Sequence, residues 1–368
     1  MKTMKNLIGL IVLTIILVSF RFDNGFVIKG HIYGIENGTW VKLFDLDQQI
    51  YLDSAISNNG DFILKGKVAY PTTCRILCKE SFANIQIENI KITFSAPIKD
   101  MHLYCVIKGG AEQDLANDLQ RLQFPYYKLT YSAYDSLMNT KNLNDNDKQR
   151  LIKILNESQN TAQNIYIDFG KHHSNSYLGL DAIYRNRNSI PKDTLKQIYE
   201  NLKPEFKLTS LAKALNVFLY GELTQKGKPF IDFNVKTLKG ENFSLSSLKG
   251  RYIYLSFWSA GCGPCRMENK LLSHNINKLP KELSIVSFST DGNIKAWDIA
   301  TRTDSIVWHN VSDLEGGNGR IKTQYQVQAI PTSFLIDNNG IIIEQFIGFD
   351  TDIIKKLNDI IEKNKNER

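Results

Sequence analysis

Short apolar runs alternate with polar residues over residues 26–110, a pattern that predicts β-strands. The pairs Asn37-Gly38 and Asn59-Gly60 separate some of these runs. An Asn-Gly pair between two apolar runs is typical of a two-residue hairpin turn. The spacing therefore predicts a small β-sandwich whose neighbouring strands are joined as hairpins.

Residues 111–220 follow a different pattern, in which apolar residues recur every three or four positions. Leu115, Leu119 and Leu122 fall on one helix face by this spacing, and Gly and Pro become sparse. Asp193 stands just ahead of another helical run and is expected to cap it. We predict a helical spacer or bundle here, ending at a linker over residues 221–229.

From residue 229 to residue 368, strand patterns alternate with helix patterns. This alternation predicts an α/β sheet covered by helices on both faces. The predicted strands are 251–258, 283–289, 331–336 and 341–347, and the predicted helices are 264–279, 294–303 and 352–363.

The first 22 residues have the pattern of an export signal. Lys2 and Lys5 precede an apolar run of about fourteen residues, which Arg21 ends. That run suits the apolar region of a secretory signal, whereas a membrane span needs about 20 residues. A clean cleavage site is absent from the sequence near residue 20, so both a signal peptide and an uncleaved N-terminal anchor stay open. Export places the protein in the periplasm or cell envelope, where disulfide chemistry is possible.

Composition is that of an ordinary globular protein, with 42% hydrophobic and 23% charged residues among 368. The formal net charge is +7, but the Lys and Arg residues are scattered among acidic residues. We therefore expect no nucleic-acid partner, and a membrane contact only through residues 1–22.

The sequence FWSAGCGPCR contains Cys262 and Cys265 at the end of an apolar strand pattern. Two thiols separated by two residues can form and break a disulfide with little backbone movement. At a strand-to-helix junction, Cys262 would lie near unpaired backbone N–H groups, which favour the reactive thiolate. A zinc site would require a second ligand pair, for which His274 is the nearest later candidate. We expect thiol–disulfide exchange, with no metal and no cofactor.

Residues 229–368 resemble the thioredoxin-fold domain of TlpA/ResA-like thiol–disulfide oxidoreductases. The resemblance lies in DFNVKTLKGENFSLSSLKGRYIYLSFWSAGCGPCRMEN and AIPTSFLIDNNGIII. Residues 26–110 resemble the β-rich domain of unknown function that precedes such domains in some bacterial envelope proteins. The implied fold is an α/β thioredoxin fold after an N-terminal β-sandwich-like domain and a helical middle segment.

The resemblance also implies roles for individual residues. Cys262 takes the nucleophile's position, and Cys265 takes that of the resolving thiol of a redox-active disulfide. Glu268 matches a carboxylate that accepts the Cys265 proton. The remaining implied role is substrate binding. It is assigned to the backbone of Ile330 before a cis-proline, Pro331, and to Trp258, which lies near the dithiol.

At three positions this sequence differs from the TlpA/ResA-like family or from ordinary thioredoxins. Gly261 stands where the family usually has Trp, and Lys270 stands where a helix-kinking Pro is usual. Ser256 occupies the position of the proton-accepting Asp of ordinary thioredoxins, which places that role on Glu268. The absence of a large side chain at Gly261 is expected to widen substrate access to the nucleophile or to shift the midpoint potential.

The expected function is an exported oxidoreductase acting on envelope proteins that contain cysteines. Cys-Gly-Pro-Cys is the dithiol of reducing thioredoxins, which favours a reductant supplied by a membrane electron donor, and cytochrome c maturation is a common task of the family. Two alternatives remain: a peroxiredoxin-like thiol peroxidase, and a non-enzymatic binding protein on a thioredoxin scaffold. Cys74, Cys78 and Cys105 are interpreted as small buried residues of the β-rich domain, and a disulfide from Cys74 or Cys78 to Cys105 is the alternative.

Overall fold

The computed structural model describes residues 25–366, so the predicted signal peptide or anchor at 1–22 lies outside the described residues. No helix between residues 25 and 366 is long and apolar enough to cross a membrane. The described chain forms a β-rich domain, a helical segment and an α/β domain, in the predicted order.

The β-rich domain is a sandwich of two four-stranded sheets. Its elements are β1 (Phe26–Tyr33), β2 (Trp40–Asp45), β3 (Ile50–Ile56), β4 (Asp61–Gly66), β5 (Thr72–Cys78), β6 (Ser81–Ile87), β7 (Lys91–Pro97), a short helix α1 (Met101–Tyr104) and β8 (Val106–Lys108). One sheet has the order β4-β1-β7-β8 and the other β3-β2-β5-β6. Inward residues of both sheets, such as Ile28 and Leu43, are fully buried in one shared core.

The prediction that the Asn-Gly pairs join hairpin strands is wrong. Asn59-Gly60 does form a two-residue turn, closed by two 2.9 Å backbone hydrogen bonds between Asn58 and Asp61. However, β3 and β4 on either side of it lie in different sheets, as do β1 and β2 around Asn37-Gly38. The hairpins are β2-β3 and β5-β6. A turn signal is local, whereas sheet membership depends on which strand faces complete the common core.

The helical segment begins directly after the sandwich. It consists of α2 (Ala111–Asn139), α3 (Asp145–His172), α4 (Tyr177–Arg185), α5 (Lys192–Glu200), α6 (Pro204–Lys207) and α7 (Ser210–Tyr220). The prediction of Asp193 as a cap is wrong, because Pro191 holds the N-cap position of α5 and Asp193 lies in the first turn. A carboxylate in that turn still interacts favourably with the helix dipole.

The segment 221–229, predicted as a linker, is attached to the α/β domain. The Thr224 N–H donates to the Gln324 carbonyl at 2.9 Å, and the Gly227 N–H donates to the Ile342 carbonyl at 2.8 Å. These backbone bonds fix the approach of the chain to the domain.

The α/β domain contains one seven-stranded sheet with a thioredoxin-like topology. Its elements are β9 (Asn234–Thr237), β10 (Asn242–Ser244), β11 (Tyr252–Trp258), α8 (Gly263–Asn275), β12 (Leu283–Ser289), α9 (Ile294–Thr303), β13 (His309–Ser312), α10 (Arg320–Gln324), β14 (Thr332–Ile336), β15 (Ile342–Ile347) and α11 (Ile353–Asn366). The strand order is β10-β9-β13-β12-β11-β14-β15. Alternate residues of β11 enter two different cores, so both faces of the sheet are covered as predicted.

The parallel strands β11, β12 and β13 end at the same edge of this sheet. Their last residues are Trp258, Ser289 and Ser312. The carboxyl edge of parallel strands is the usual place for functional residues in α/β folds. Cys262 follows Trp258 by four residues and therefore lies at this edge.

Candidate active site

Cys262 lies at the amino end of α8. The chain leaves β11 at Trp258 and turns through residues 259–262 before α8 begins at Gly263. Cys262 is the N-cap residue, and its Sγ accepts a hydrogen bond from the Cys265 N–H at 3.2 Å. Because the N–H groups of a helix amino end favour negative charge, this position stabilises a Cys262 thiolate in the reduced protein.

Cys262 and Cys265 form a disulfide, and their Cα atoms are 5.3 Å apart. Their accessibility differs: Cys262 is partly exposed, whereas Cys265 is 1% exposed. A substrate sulfur can reach Cys262 and is kept away from Cys265. The geometry thus separates an accessible sulfur from a shielded one.

Ile330 and Pro331 face the dithiol from a loop distant in sequence. The peptide bond between them is cis, which confirms the prediction for this pair. The Ile330 carbonyl oxygen lies 3.6 Å from Cys262 Sγ. Pro331 immediately precedes β14, which pairs with β11. The register of these two strands brings Ile330 to the accessible sulfur.

Trp258 lies beneath the dithiol. Its side chain is 1% exposed and packs with Cys265, Trp297 and Ala300. Partly buried residues, including Cys262 and Ile330, complete this apolar cluster. The observed contacts of Trp258 are therefore packing contacts, and a contact with substrate stays a prediction.

Glu268 is a buried carboxylate on α8, with 3% of its surface exposed. Its Oε1 accepts hydrogen bonds from the hydroxyls of Ser256 at 2.9 Å, Tyr254 at 3.1 Å and Ser333 at 3.4 Å. Burial raises the pKa of Glu268, and the three hydroxyl donors partly oppose that rise. Glu268 is thus a carboxyl group whose proton affinity is above the ordinary value.

The hydroxyl donors around Glu268 were not identified from the sequence. Tyr254 and Ser256 are two residues apart on β11 and so point to the same face of the sheet. Ser333 pairs with Ser256 across the β11–β14 ladder, and their hydroxyls are 2.9 Å apart. The alternation of side chains along β11 indicates that Tyr254 and Ser256 share a face. The position of Ser333 beside them follows only from the register of β14 against β11.

Two further residues hold the turn that precedes Cys262. The Asp291 carboxylate accepts the Ala260 N–H at 2.9 and 3.1 Å and the Ser289 hydroxyl at 2.7 Å. Arg266 donates to the Ala260 carbonyl at 3.2 Å and forms an ion pair with Asp304. Burial raises the pKa of Asp291, which is 1% exposed. Sequence reasoning missed this arrangement because its members lie up to 44 residues apart.

The departures at Gly261 and Lys270 have visible structural consequences. A Cβ atom built at Gly261 would meet no atom within 4 Å, so the space beside Cys262 is open. Lys270 is exposed, and α8 runs without interruption from Gly263 to Asn275. The helix therefore lacks the interruption that a Pro at position 270 would introduce.

Cys74 and Cys78 lie in the core of the β-rich domain, at 0% and 1% exposure, and Cys105 packs against that core. All three are free thiols, and burial raises the pKa of each. Cys74 and Cys78 both occupy inward positions of the regular strand β5. The interpretation as small buried residues is confirmed for this pair, which is inert as a nucleophile in this setting.

Known families match both ends of the described chain. Residues 226–345 match the AhpC/TSA family, and residues 26–116 match a domain of unknown function, DUF4369. The thiol-disulfide oxidoreductase ResA of Bacillus thuringiensis (strain Al Hakam) is 33% identical over 138 residues, which cover 35% of this chain and 74% of that protein.

Other similar proteins carry related names. The thioredoxin-like protein YneN of Bacillus subtilis (strain 168) is 29% identical over 127 residues, covering 34% of this chain and 72% of that protein. A solved thiol-disulfide oxidoreductase from Bacteroides fragilis NCTC 9343 is 28% identical, with a TM-score of 0.34, and covers 36% of this chain and 99% of that one. The site geometry and the extent of the ResA match lead to one conclusion: this chain belongs to the ResA-like family of thiol–disulfide oxidoreductases.

Proposed function

We propose that this oxidoreductase is exported and reduces disulfides of envelope proteins through Cys262 and Cys265. The observation that carries the proposal is the unequal access of the two sulfurs, with Cys262 partly exposed and Cys265 buried. Export is supported by the basic start and apolar run within residues 1–22. The reducing direction is supported by the Cys-Gly-Pro-Cys sequence, which is that of reducing thioredoxins.

The proposed reaction starts with the reduced enzyme. The Cys262 thiolate attacks one sulfur of a substrate disulfide, forming a mixed disulfide and releasing the other substrate sulfur as a thiolate. The Cys265 thiolate then attacks Cys262 Sγ, which re-forms the enzyme disulfide and releases the second substrate thiolate. The substrate gains two electrons, and two protons from solvent and the site complete its thiols.

The groups around the dithiol support both steps. The Ile330 backbone, whose carbonyl lies 3.6 Å from Cys262 Sγ, offers a docking strand for substrate residues beside the attacked sulfur. Glu268 lies one turn after Cys265 on α8, and the raised pKa of its carboxyl suits it to take up the Cys265 proton. Because a raised carboxyl pKa is closer to the pKa of a thiol, proton transfer from the thiol to this carboxylate is less unfavourable than to an ordinary one.

A reductant outside the cytoplasm must itself be re-reduced. We propose a membrane protein that donates two electrons as the partner for this step, and cysteine-containing envelope proteins as the substrates. Proteins of cytochrome c maturation are one substrate class that the family resemblance suggests. Attachment to the membrane would involve only an uncleaved N-terminal segment.

Insulin reduction with dithiothreitol tests the proposal. The parent should precipitate insulin chains, whereas Cys262→Ser and Cys265→Ser should each lose the activity. Cys105→Ser is the matched control, since it removes a free cysteine of the β-rich domain, and should retain the parent rate. Cys265→Ser should also trap substrates as mixed disulfides, which mass spectrometry of an envelope fraction would identify.

Two results would contradict the proposal. Parent-like insulin reduction by both active-site variants would exclude exchange through this dithiol. Rapid consumption of hydrogen peroxide together with slow insulin reduction would favour the thiol peroxidase instead. The midpoint potential of the dithiol, measured against glutathione, then decides the direction of electron flow.

A further inference from the structure

The turn between β2 and β3, residues 46–49, contacts the α/β domain beside the redox site. The Gln48 carbonyl accepts the Gly292 N–H at 3.1 Å, and the Asp47 carbonyl accepts the Gly317 N–H at 2.9 Å. Gly292 follows β12 and Gly317 follows β13. This turn of the β-rich domain therefore lies at the same sheet edge as Cys262.

The side chain of Asp47 anchors this turn. Its carboxylate is buried, at 7% exposure for the residue, and accepts the Tyr177 hydroxyl at 2.9 Å. It also accepts hydrogen bonds from the Ser210 hydroxyl and the Asn318 amide. One carboxylate thus joins the β-rich domain, the helical segment and the α/β domain through charge-assisted hydrogen bonds.

A short path of contacts leads from this turn to the nucleophile. Gly292, which donates to Gln48, directly follows Asp291. The Asp291 carboxylate in turn accepts the Ala260 N–H at 2.9 and 3.1 Å, and Ala260 precedes Cys262 by two residues. Along this path, residues 290–292 connect the turn to the loop that carries Cys262.

We infer that residues 46–49 are a positioning element of the redox site. By fixing Gly292, the turn keeps Asp291 hydrogen-bonded to Ala260 and so holds Cys262 at the amino end of α8. Release of the turn loosens that alignment, and the thiolate loses part of its stabilisation by the helix N–H groups. The inference rests on the proposed function, since it assigns the turn an effect on Cys262 thiolate chemistry.

The contact between Gly292 and the Gln48 carbonyl can be disrupted by Gly292→Ala. A Cβ atom at position 292 would lie 2.4 Å from the Gln48 carbonyl oxygen, so the turn must move away. Gly317→Ala is the matched control, because its Cβ would lie 3.4 Å from the Asp47 carbonyl oxygen, an ordinary contact. Neither glycine has a positive φ, so neither substitution strains the backbone directly.

The experiment measures iodoacetamide alkylation of Cys262 in the reduced full chain as a function of pH, by mass spectrometry of its peptide. The alkylation midpoint of Gly292→Ala should rise by about half a pH unit, which is about threefold less thiolate below the midpoint. Gly317→Ala should keep the parent midpoint. Far-UV circular dichroism and thermal melting check that each variant is folded.

A folded Gly292→Ala with the parent midpoint would overturn the inference. Should that variant fail to fold, Asp47→Asn serves as the test, because it removes the charge that anchors the turn while preserving the side-chain shape. Its midpoint should also rise, and an unchanged midpoint would reject the positioning role. Alkylation needs no protein substrate, so this failure is distinct from failure of the parent to reduce insulin.

Discussion

Glu268→Gln separates the chemical role of the buried carboxyl from its structural role. The substitution keeps the shape of the side chain and an oxygen that can accept from the Tyr254, Ser256 and Ser333 hydroxyls. It removes the charge and with it the proposed role of Glu268 as acceptor of the Cys265 proton. We expect a large effect on thiol chemistry and a small effect on stability at pH 7.

The magnitudes follow from the three hydrogen bonds and the burial of Glu268. A hydrogen bond to a charged group contributes about 1.5–3 kcal/mol and a neutral one about 0.5–1.5 kcal/mol, so Glu268→Gln loses about 3 kcal/mol over three bonds. It also avoids the desolvation cost of a buried ion, which is several kcal/mol. The free energy of unfolding at pH 7 should therefore stay within about 2 kcal/mol of the parent value. The rate of the step that deprotonates Cys265 should fall about 100-fold, the lower end of general acid–base catalysis.

The two proteins should also differ in how stability depends on pH. Because burial raises the pKa of Glu268, the folded parent binds this proton more tightly than the unfolded chain. The stabilisation from the bound proton is complete below the unfolded pKa, and it is lost as pH rises through the folded pKa. Glu268→Gln has no such proton, so its stability relative to the parent should improve as pH rises from about 4.3, the unfolded pKa of Glu, through the raised folded pKa, and should be constant above it.

Insulin reduction from pH 6 to 9 and urea unfolding from pH 4 to 8 measure these effects. Glu362→Gln replaces an exposed glutamate on α11 and is the control for loss of one carboxylate. It should match the parent in both assays. A folded Glu268→Gln that reduces insulin at the parent rate throughout that range would refute the proton-acceptor role. A relative stability that is flat with pH would refute the raised pKa.

Two further substitutions test the surroundings of the site. Ser256→Ala removes one hydrogen-bond donor from the Glu268 carboxylate, so it should lower the free energy of unfolding at pH 7 by about 1–3 kcal/mol. Because this donor lowers the pKa of Glu268, its loss should move the pH profile of insulin reduction to higher pH. An unchanged profile would contradict this contact. Arg266→Ala leaves the fully buried Asp304 side chain without its ion-pair partner, so it should lower the free energy of unfolding in urea by about 3 kcal/mol. Arg266→Lys keeps the charge but loses the bond to the Ala260 carbonyl, so it should lower that free energy by less.

The predictable features are those whose signals lie within a few residues. The spacing of apolar residues distinguished the strand-rich, helical and α/β parts of the chain, and it located four of the seven strands in the α/β sheet. The position of Cys262 between a strand pattern and a helix pattern indicated its place at a helix amino end. The cis bond before Pro331 followed from resemblance to a family, since composition and spacing do not indicate which isomer a proline adopts.

Other features required the register and packing of distant segments. Ser333 reaches Glu268 only because β14 pairs with β11 in one register, and a shift of one residue would turn its hydroxyl to the other face. The Asn-Gly pairs failed as hairpin signals for a related reason, since a turn does not specify which sheet each flanking strand joins.

The sequence by itself determined the kind of chemistry, because the Cys-Gly-Pro-Cys spacing and the helix that follows it are local properties of neighbouring residues. The tertiary structure alone decided that Cys262 is accessible while Cys265 is buried, and that Glu268 is surrounded by hydroxyls. It also decided that the turn at 46–49 contacts Gly292, some 240 residues further along the chain. Burial and long-range hydrogen bonding depend on how segments pack together, which local periodicity does not encode.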